Sequence, residues 1–146
     1  MQVDFYHLDR APLERVLPRI AERILESGGR LLIVCGDGKL AERLDTQLWN
    51  YSPDSFLPHG RAGEAGEADQ PILISTALDP LNRARNVALA DGVWREETLG
   101  FERVFFFFNG ETIVGARAAW RALAGREGIE PRYWKQDDDG KWRQGP

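Results

Sequence analysis

Apolar and polar residues follow two periods along this chain, and the switches between them predict most of its elements. Residues 2–8 (QVDFYHL) mix β-branched and aromatic side chains and stop at Asp9, the pattern of a strand. After Pro12 the spacing lengthens. Leu13, Val16, Leu17, Ile20, Ile24 and Leu25 recur every three or four residues as one apolar stripe, with Glu14, Arg15, Glu22 and Arg23 mainly off it. This predicts a helix from 12 to about 27, closed by Gly28-Gly29. Pro18 falls inside it, where a proline removes a hydrogen bond and crowds the preceding turn. Two arrangements accommodate it: a helix that starts late enough to hold Pro18 in its first turn, or a kinked one.

Residues 30–35 (RLLIVC) form a short, continuously apolar run, as in parallel strands buried on both faces. Gly36, Asp37 and Gly38 make a turn, and residues 39–49 (KLAERLDTQLW) a second helix with Leu40, Leu44, Leu48 and Trp49 on or near one stripe. From 50 to 70 the prolines, glycines and small or acidic residues predict one loop, about twenty residues long and so functional or mobile. Strand patterns return at 71–76 (PILIST) and 86–90 (NVALA), and a short helix is expected at about 96–102. Four adjacent phenylalanines in 103–108 (RVFFFF) cannot all face water, so this run is a central strand covered on both sides. A helix follows, then a last strand at 131–136 and a turn at 137–140. Residues 141–146 either pair back through Trp142 or fray. Strand and helix alternating across short joints predict one α/β domain over 1–146. Its expected form is a three-layer, mostly parallel sheet flanked by helices, with nucleotide-binding-like (Rossmann-like) topology.

Composition narrows the function classes. A chain of 146 residues, 42% hydrophobic and 29% charged, can bury a core without disulfide or metal staples. Its net charge of −4 argues against direct nucleic-acid binding, which needs a surplus of Lys and Arg facing phosphates. The single Cys35 excludes an intrachain disulfide and fits the cytosol. No apolar run approaches membrane-spanning length, and MQVDFYHLDR lacks the layout of a signal peptide, so a cytoplasmic protein without membrane contact is expected.

The chemistry is sparse. Gly36, Asp37, Gly38 and Lys39 follow a strand and open a helix, the right place for a phosphate loop. They lack the third glycine of the dinucleotide fingerprint and the Ser/Thr and spacing of the P-loop. Asp37 would set a carboxylate where an anion should lie, or serve as an ordinary helix cap. Nucleotide binding at Gly36–Lys39 is therefore the alternative reading. His7 and His59, the two histidines, have no Cys or second His at ligand spacing, and Asp137, Asp138 and Asp139 lack the spaced Glu of a calcium loop. With no catalytic set, no metal site and no cofactor motif, a binding module is favoured over an enzyme.

Two regions are left to carry function. Trp49 with Phe56, Leu57, Pro58 and His59 places large apolar groups beside the long loop, either as a protein contact or folded down onto the sheet. Between 111 and 135, five cations (Arg117, Arg121, Arg126, Arg132, Lys135) face three glutamates, a local charge of +2 in a chain of −4. Helical spacing puts Arg117 and Arg121 one turn apart beside Trp120. Such a face suits carboxylates and a ring, since Arg pairs bidentately with carboxylate. It is equally what a core tryptophan among solvated arginines looks like.

The landmarks VDFYHL, RLLIVCGDGKLAERLDTQLW, DSFLPHGRAGE and ARAAWRALAGREG, in this order and over roughly residues 1–134, resemble the chi subunit of bacterial DNA polymerase III holoenzyme. The resemblance implies a small α/β protein without enzymatic activity. Such a protein bridges the clamp loader, through the psi subunit, to the acidic C-terminal tail of single-stranded DNA-binding protein. It implies tail binding at Arg117, Trp120 and Arg121, where the family typically carries Arg, Tyr and Lys. Psi binding is implied at a surface including Trp49 and Phe56. Residues 137–146 find no counterpart in the family pattern.

Overall fold

Phe105 and Phe107 enter one apolar cluster, Phe106 and Phe108 the other, and all four are buried. Successive side chains of a strand point to opposite faces, so this strand needs a covering layer on each. The computed structural model, which describes residues 1–52 and 56–145, supplies both layers. Among the described residues, eight strands form one sheet: β1 (Gln2–His7), β2 (Leu31–Val34), β3 (His59–Arg61), β4 (Ile72–Ser75), β5 (Asn86–Leu89), β6 (Arg103–Phe108), β7 (Glu130–Gln136) and β8 (Trp142–Gln144). Their order is β3-β4-β2-β5-β6-β1-β7-β8, and every pair is parallel except β7 with β8. Helices α1 (Leu13–Glu26) and α2 (Gly38–Trp49) pack on one face with Phe105 and Phe107. Helix α3 (Ile113–Leu123) packs on the other through Ala116, Ala119 and Leu123. The expected mixed α/β fold with a mostly parallel sheet and helices on both sides is what the chain adopts.

Helix α1 starts at Leu13 with Pro12 at its cap and runs through Pro18 to Glu26, so a late start is not how the proline is accommodated. Pro18 is buried there and forgoes the bond its missing N–H would have made one turn back. The stretch predicted as one loop from 50 to 70 contains the edge strand β3 and a 3-10 turn, Glu67–Asp69. His-Gly-Arg carries no strand pattern; β4 imposes the ladder, setting Ile72, Leu73 and Ile74 opposite His59, Gly60 and Arg61. A Cβ at Gly60 would stand 2.8 Å from the Gln70 Cγ, so any larger residue there requires Gln70 to move. The helix expected at 96–102 is a 3-10 turn, Glu96–Gly100. Of the two outcomes open for the tail, pairing is the one realised: Trp142 lies opposite Gln136 and packs edge-on against Tyr6 at 5.2 Å. Burial of that phenol pushes Tyr6 up to about 12, with Asp4 adding to the shift. Asp4, fully buried, ties β1 to both neighbours by accepting from Arg103 Nε of β6 at 3.0 Å and Trp134 Nε1 of β7 at 2.9 Å.

Candidate partner-binding faces

Helix α3 is short of large apolar residues, and that shortage shapes its outer face. Ala116, Ala119 and Leu123 occupy the buried side at helical spacing, which leaves Trp120 at the margin of the core. Its indole is half-buried, edge-on to Phe5 at 5.2 Å and to Tyr133 at 6.4 Å. Arg117 and Arg121 flank it and are exposed. Among the described residues neither guanidinium has a hydrogen bond or ion pair. The other cations of this region are engaged: Arg126 with Glu96 at 2.6 Å, Arg132 with Glu130 at 3.3 Å, Lys135 with Asp9 at 3.9 Å. Three carboxylates thus remove three of the five positive charges counted from sequence, and the two left over are the pair around the indole.

Two further side chains join this face. Tyr133 on β7 meets His7 on β1, the hydroxyl 2.9 Å from Nδ1, and His7 stacks on Phe108 at 4.9 Å. Burial holds the imidazole below its usual range, helped by Lys135 and Arg117 and opposed by Asp9. Burial also pushes the Tyr133 phenol up, aided by Asp9 and opposed by Arg117. Both directions keep the phenol protonated and the ring neutral, so this is a hydrogen bond between neutral groups whose donor is set by the His7 tautomer.

The second face begins where α2 ends. Trp49 is 55% and Phe56 68% exposed, with their rings 5.7 Å apart. The segment is divided: Phe56 points to solvent, while Leu57 and His59 are folded down and buried. Residues 53–55, which belong to the same sequence landmark, lie outside the described residues.

The turn at Gly36–Lys39 holds a cap and two carboxylates. Asp37 accepts from the Leu40 N–H at 2.8 Å and closes the start of α2. Asp91, after β5, lies so close that a Cβ on Gly36 would sit 2.7 Å from its Oδ2. It is held by both Arg95 Nη atoms at 2.9 and 2.8 Å. Burial raises the Asp91 carboxyl, but the bonds from Arg95 and the Val93 N–H outweigh it and hold it below the usual range. A lowered carboxylate stabilises the fold above its unfolded value, about pH 4, and that share disappears as the pH falls through the folded value. The stability gap between wild type and Asp91→Asn, read by urea unfolding at pH 7, is therefore expected to narrow below about pH 4.

Cys35 is buried in the same crevice, and burial, with Asp91 and Asp37 nearby, pushes its thiol up to about 11, so it stays protonated. Among the described residues no group of three or more His, Cys, Asp or Glu is gathered for a metal ion, and no helix is long and apolar enough to cross a membrane.

A family model described as "DNA polymerase III chi subunit, HolC" matches residues 1–131. The chain belongs to the DNA polymerase III chi subunit family. The DNA polymerase III subunit chi of Escherichia coli (strain K12) is 38% identical over 93 residues, which is 59% of this chain and 63% of that protein. The subunit of Haemophilus influenzae is 36% identical over 63 residues, 43% and 44% of the two chains. That of Pseudomonas aeruginosa is 33% identical over 84 residues, 56% and 58%. These alignments cover between 44% and 63% of the relatives' own lengths.

Trp49, Phe56, Arg117, Trp120 and Arg121 of this chi family member lie inside the matched residues, while Tyr133 and β8 lie beyond them. The sequence carried a partial signal for Tyr133, the aromatic-basic run after α3. Its contact with His7 needs β1 and β7 to pair, and nothing in either segment announces that pairing.

Proposed function

We propose that this chain is a non-catalytic adaptor of the DNA polymerase III clamp loader. Trp49 and Phe56 dock the psi subunit; Arg117, Trp120 and Arg121 dock the acidic C-terminal tail of single-stranded DNA-binding protein. The observation that carries the tail contact is the pairing pattern around α3. Arg126, Arg132 and Lys135 hold carboxylates of this chain, whereas Arg117 and Arg121, beside a half-exposed indole, hold none among the described residues. A tail of carboxylates ending in an aromatic residue meets two bidentate donors and an apolar wall there. Tyr133 and His7 extend that wall on the β-strand side. Single-stranded DNA itself is not a ligand in this reading, in keeping with the net charge of −4.

We also read the sheet as nucleotide-binding-like. The chain leaves β2 for β3, on the far side of β4, and leaves β5 in the opposite direction for β6, so the connections diverge at their carboxyl ends, where such folds bind phosphates. Here Asp37 and Asp91 stand at that point, and an entering anion would face both. That electrostatic opposition favours the adaptor over a nucleotide sensor.

The two faces sit on opposite sides of the sheet, Trp49 with α2 and Trp120 with α3, so one chain can hold both partners together. Titrating tail peptide and psi jointly is expected to give a ternary complex. Trp49→Ala should weaken psi binding by about tenfold or more, as for a truncated aromatic anchor, and leave tail affinity unchanged. Competition between the partners, or loss of both in Trp49→Ala, contradicts the two-face reading.

A further inference from the structure

His59 is the buried member of the Trp49 cluster, and both of its ring nitrogens are committed. Its side chain is wholly buried, with Nδ1 2.7 Å from the Leu57 carbonyl oxygen and Nε2 2.8 Å from Asp45 Oδ1. Each partner is an acceptor. A neutral imidazole has one N–H to give, so only the doubly protonated ring donates to both. The two bonds join separate pieces of chain. Asp45 lies one turn before Trp49 on α2, and Leu57 adjoins Phe56. The Trp49 indole rests against the imidazole at 4.6 Å, tilted by 55°, and from there meets Phe56 at 5.7 Å. Exposed rings are costly to order at the moment of binding, so a prop beneath them raises affinity by prior organisation.

We infer that His59 is the positioning residue of the Trp49–Phe56 face: donating from both nitrogens, it locks the segment carrying Phe56 onto the helix carrying Trp49. The inference rests on the reading that this face takes a protein partner. Asp45 of α2 is the charged group bonded to the ring; β4 sets Ile72 opposite it, and Arg61 shares its side of β3. Where either nitrogen lacks its donor, one acceptor loses its bond and the Phe56 segment is released from α2. Docking on this face therefore depends on His59, whereas an unlatched apolar face would not.

The test uses the whole chain, with the purified psi subunit as probe. Imidazole nitrogen spectra are expected to show protons on both ring nitrogens of His59. In His59→Phe, which keeps a ring under Trp49 but neither donor, the Trp49 indole resonance, assigned by its loss in Trp49→Phe, should move and psi affinity should fall about tenfold, the scale of one charge-assisted bond. A ring with a proton on one nitrogen alone overturns the inference, as does a folded His59→Phe that binds with wild-type affinity. If Trp49→Ala and Phe56→Ala bind psi like wild type, the partner reading fails instead. The nitrogen spectra and the Trp49 resonance then decide the latch without any partner.

Discussion

Replacing Arg117 and Arg121 together by glutamate is expected to abolish capture of an acidic tail peptide while leaving the fold intact. Each guanidinium offers a charge-assisted bond worth about 1.5–3 kcal/mol, or one to two decades of affinity. Reversing both charges adds repulsion, so a loss of about a hundredfold or more is expected in a fluorescence titration, and roughly tenfold for Arg121→Glu alone. The fold should tolerate the change because neither side chain holds a partner within the described residues, and no buried group is stranded. The wild-type contact should also weaken with salt, since charges at an exposed face are screened over about 8 Å at physiological ionic strength. A peptide lacking its final aromatic residue should lose the part of the affinity owed to Trp120, and that loss should persist at high salt. Equal affinity of the double variant and wild type would remove this face from the proposal.

Phe106→Ala is expected to be the most damaging single truncation in the core. The side chain is fully buried between sheet and α3, with Phe5 at 5.4 Å, Trp94 at 5.5 Å and Phe108 at 6.1 Å. Truncating a phenylalanine in such a place costs about 3–5 kcal/mol, from lost transfer energy and the cavity left behind. Against a total stability of about 5–15 kcal/mol this is a large share, and the midpoint of thermal unfolding should drop by about 10 °C or more. Phe56→Ala is the matched control. That ring is 68% exposed, and its loss should change stability by less than about 0.5 kcal/mol while impairing partner docking. Denaturant unfolding of the pair separates the two roles of one residue type. Similar costs for both would mean that β6 is not buried on two faces.

The comparison of Phe106 with Phe56 also shows where sequence reading succeeds. A run such as RVFFFF has one physical solution, a strand covered on both sides, and RLLIVC is read the same way. β3 was hidden because His-Gly-Arg has no apolar alternation; an edge strand three residues long owes its ladder to β4. Pro18 was ambiguous because its cost depends on what the rest of α1 buries, and the helix is held by five other buried residues.

Local pattern therefore settled the α-helices α1, α2 and α3, the central strands and the position of Arg117, Trp120 and Arg121 on one helical face. Those depend on residues a few places apart, where backbone period dictates which side chains are neighbours. Which cations stay free was decided only in three dimensions. Arg126 finds Glu96 and Lys135 finds Asp9 across distances along the chain that no local period encodes. The exposure of Trp120 is of the same kind. Ala116, Ala119 and Leu123 fill the ground against the sheet, and the indole is left between Phe5 and Tyr133 with one side open, the condition a docking surface requires.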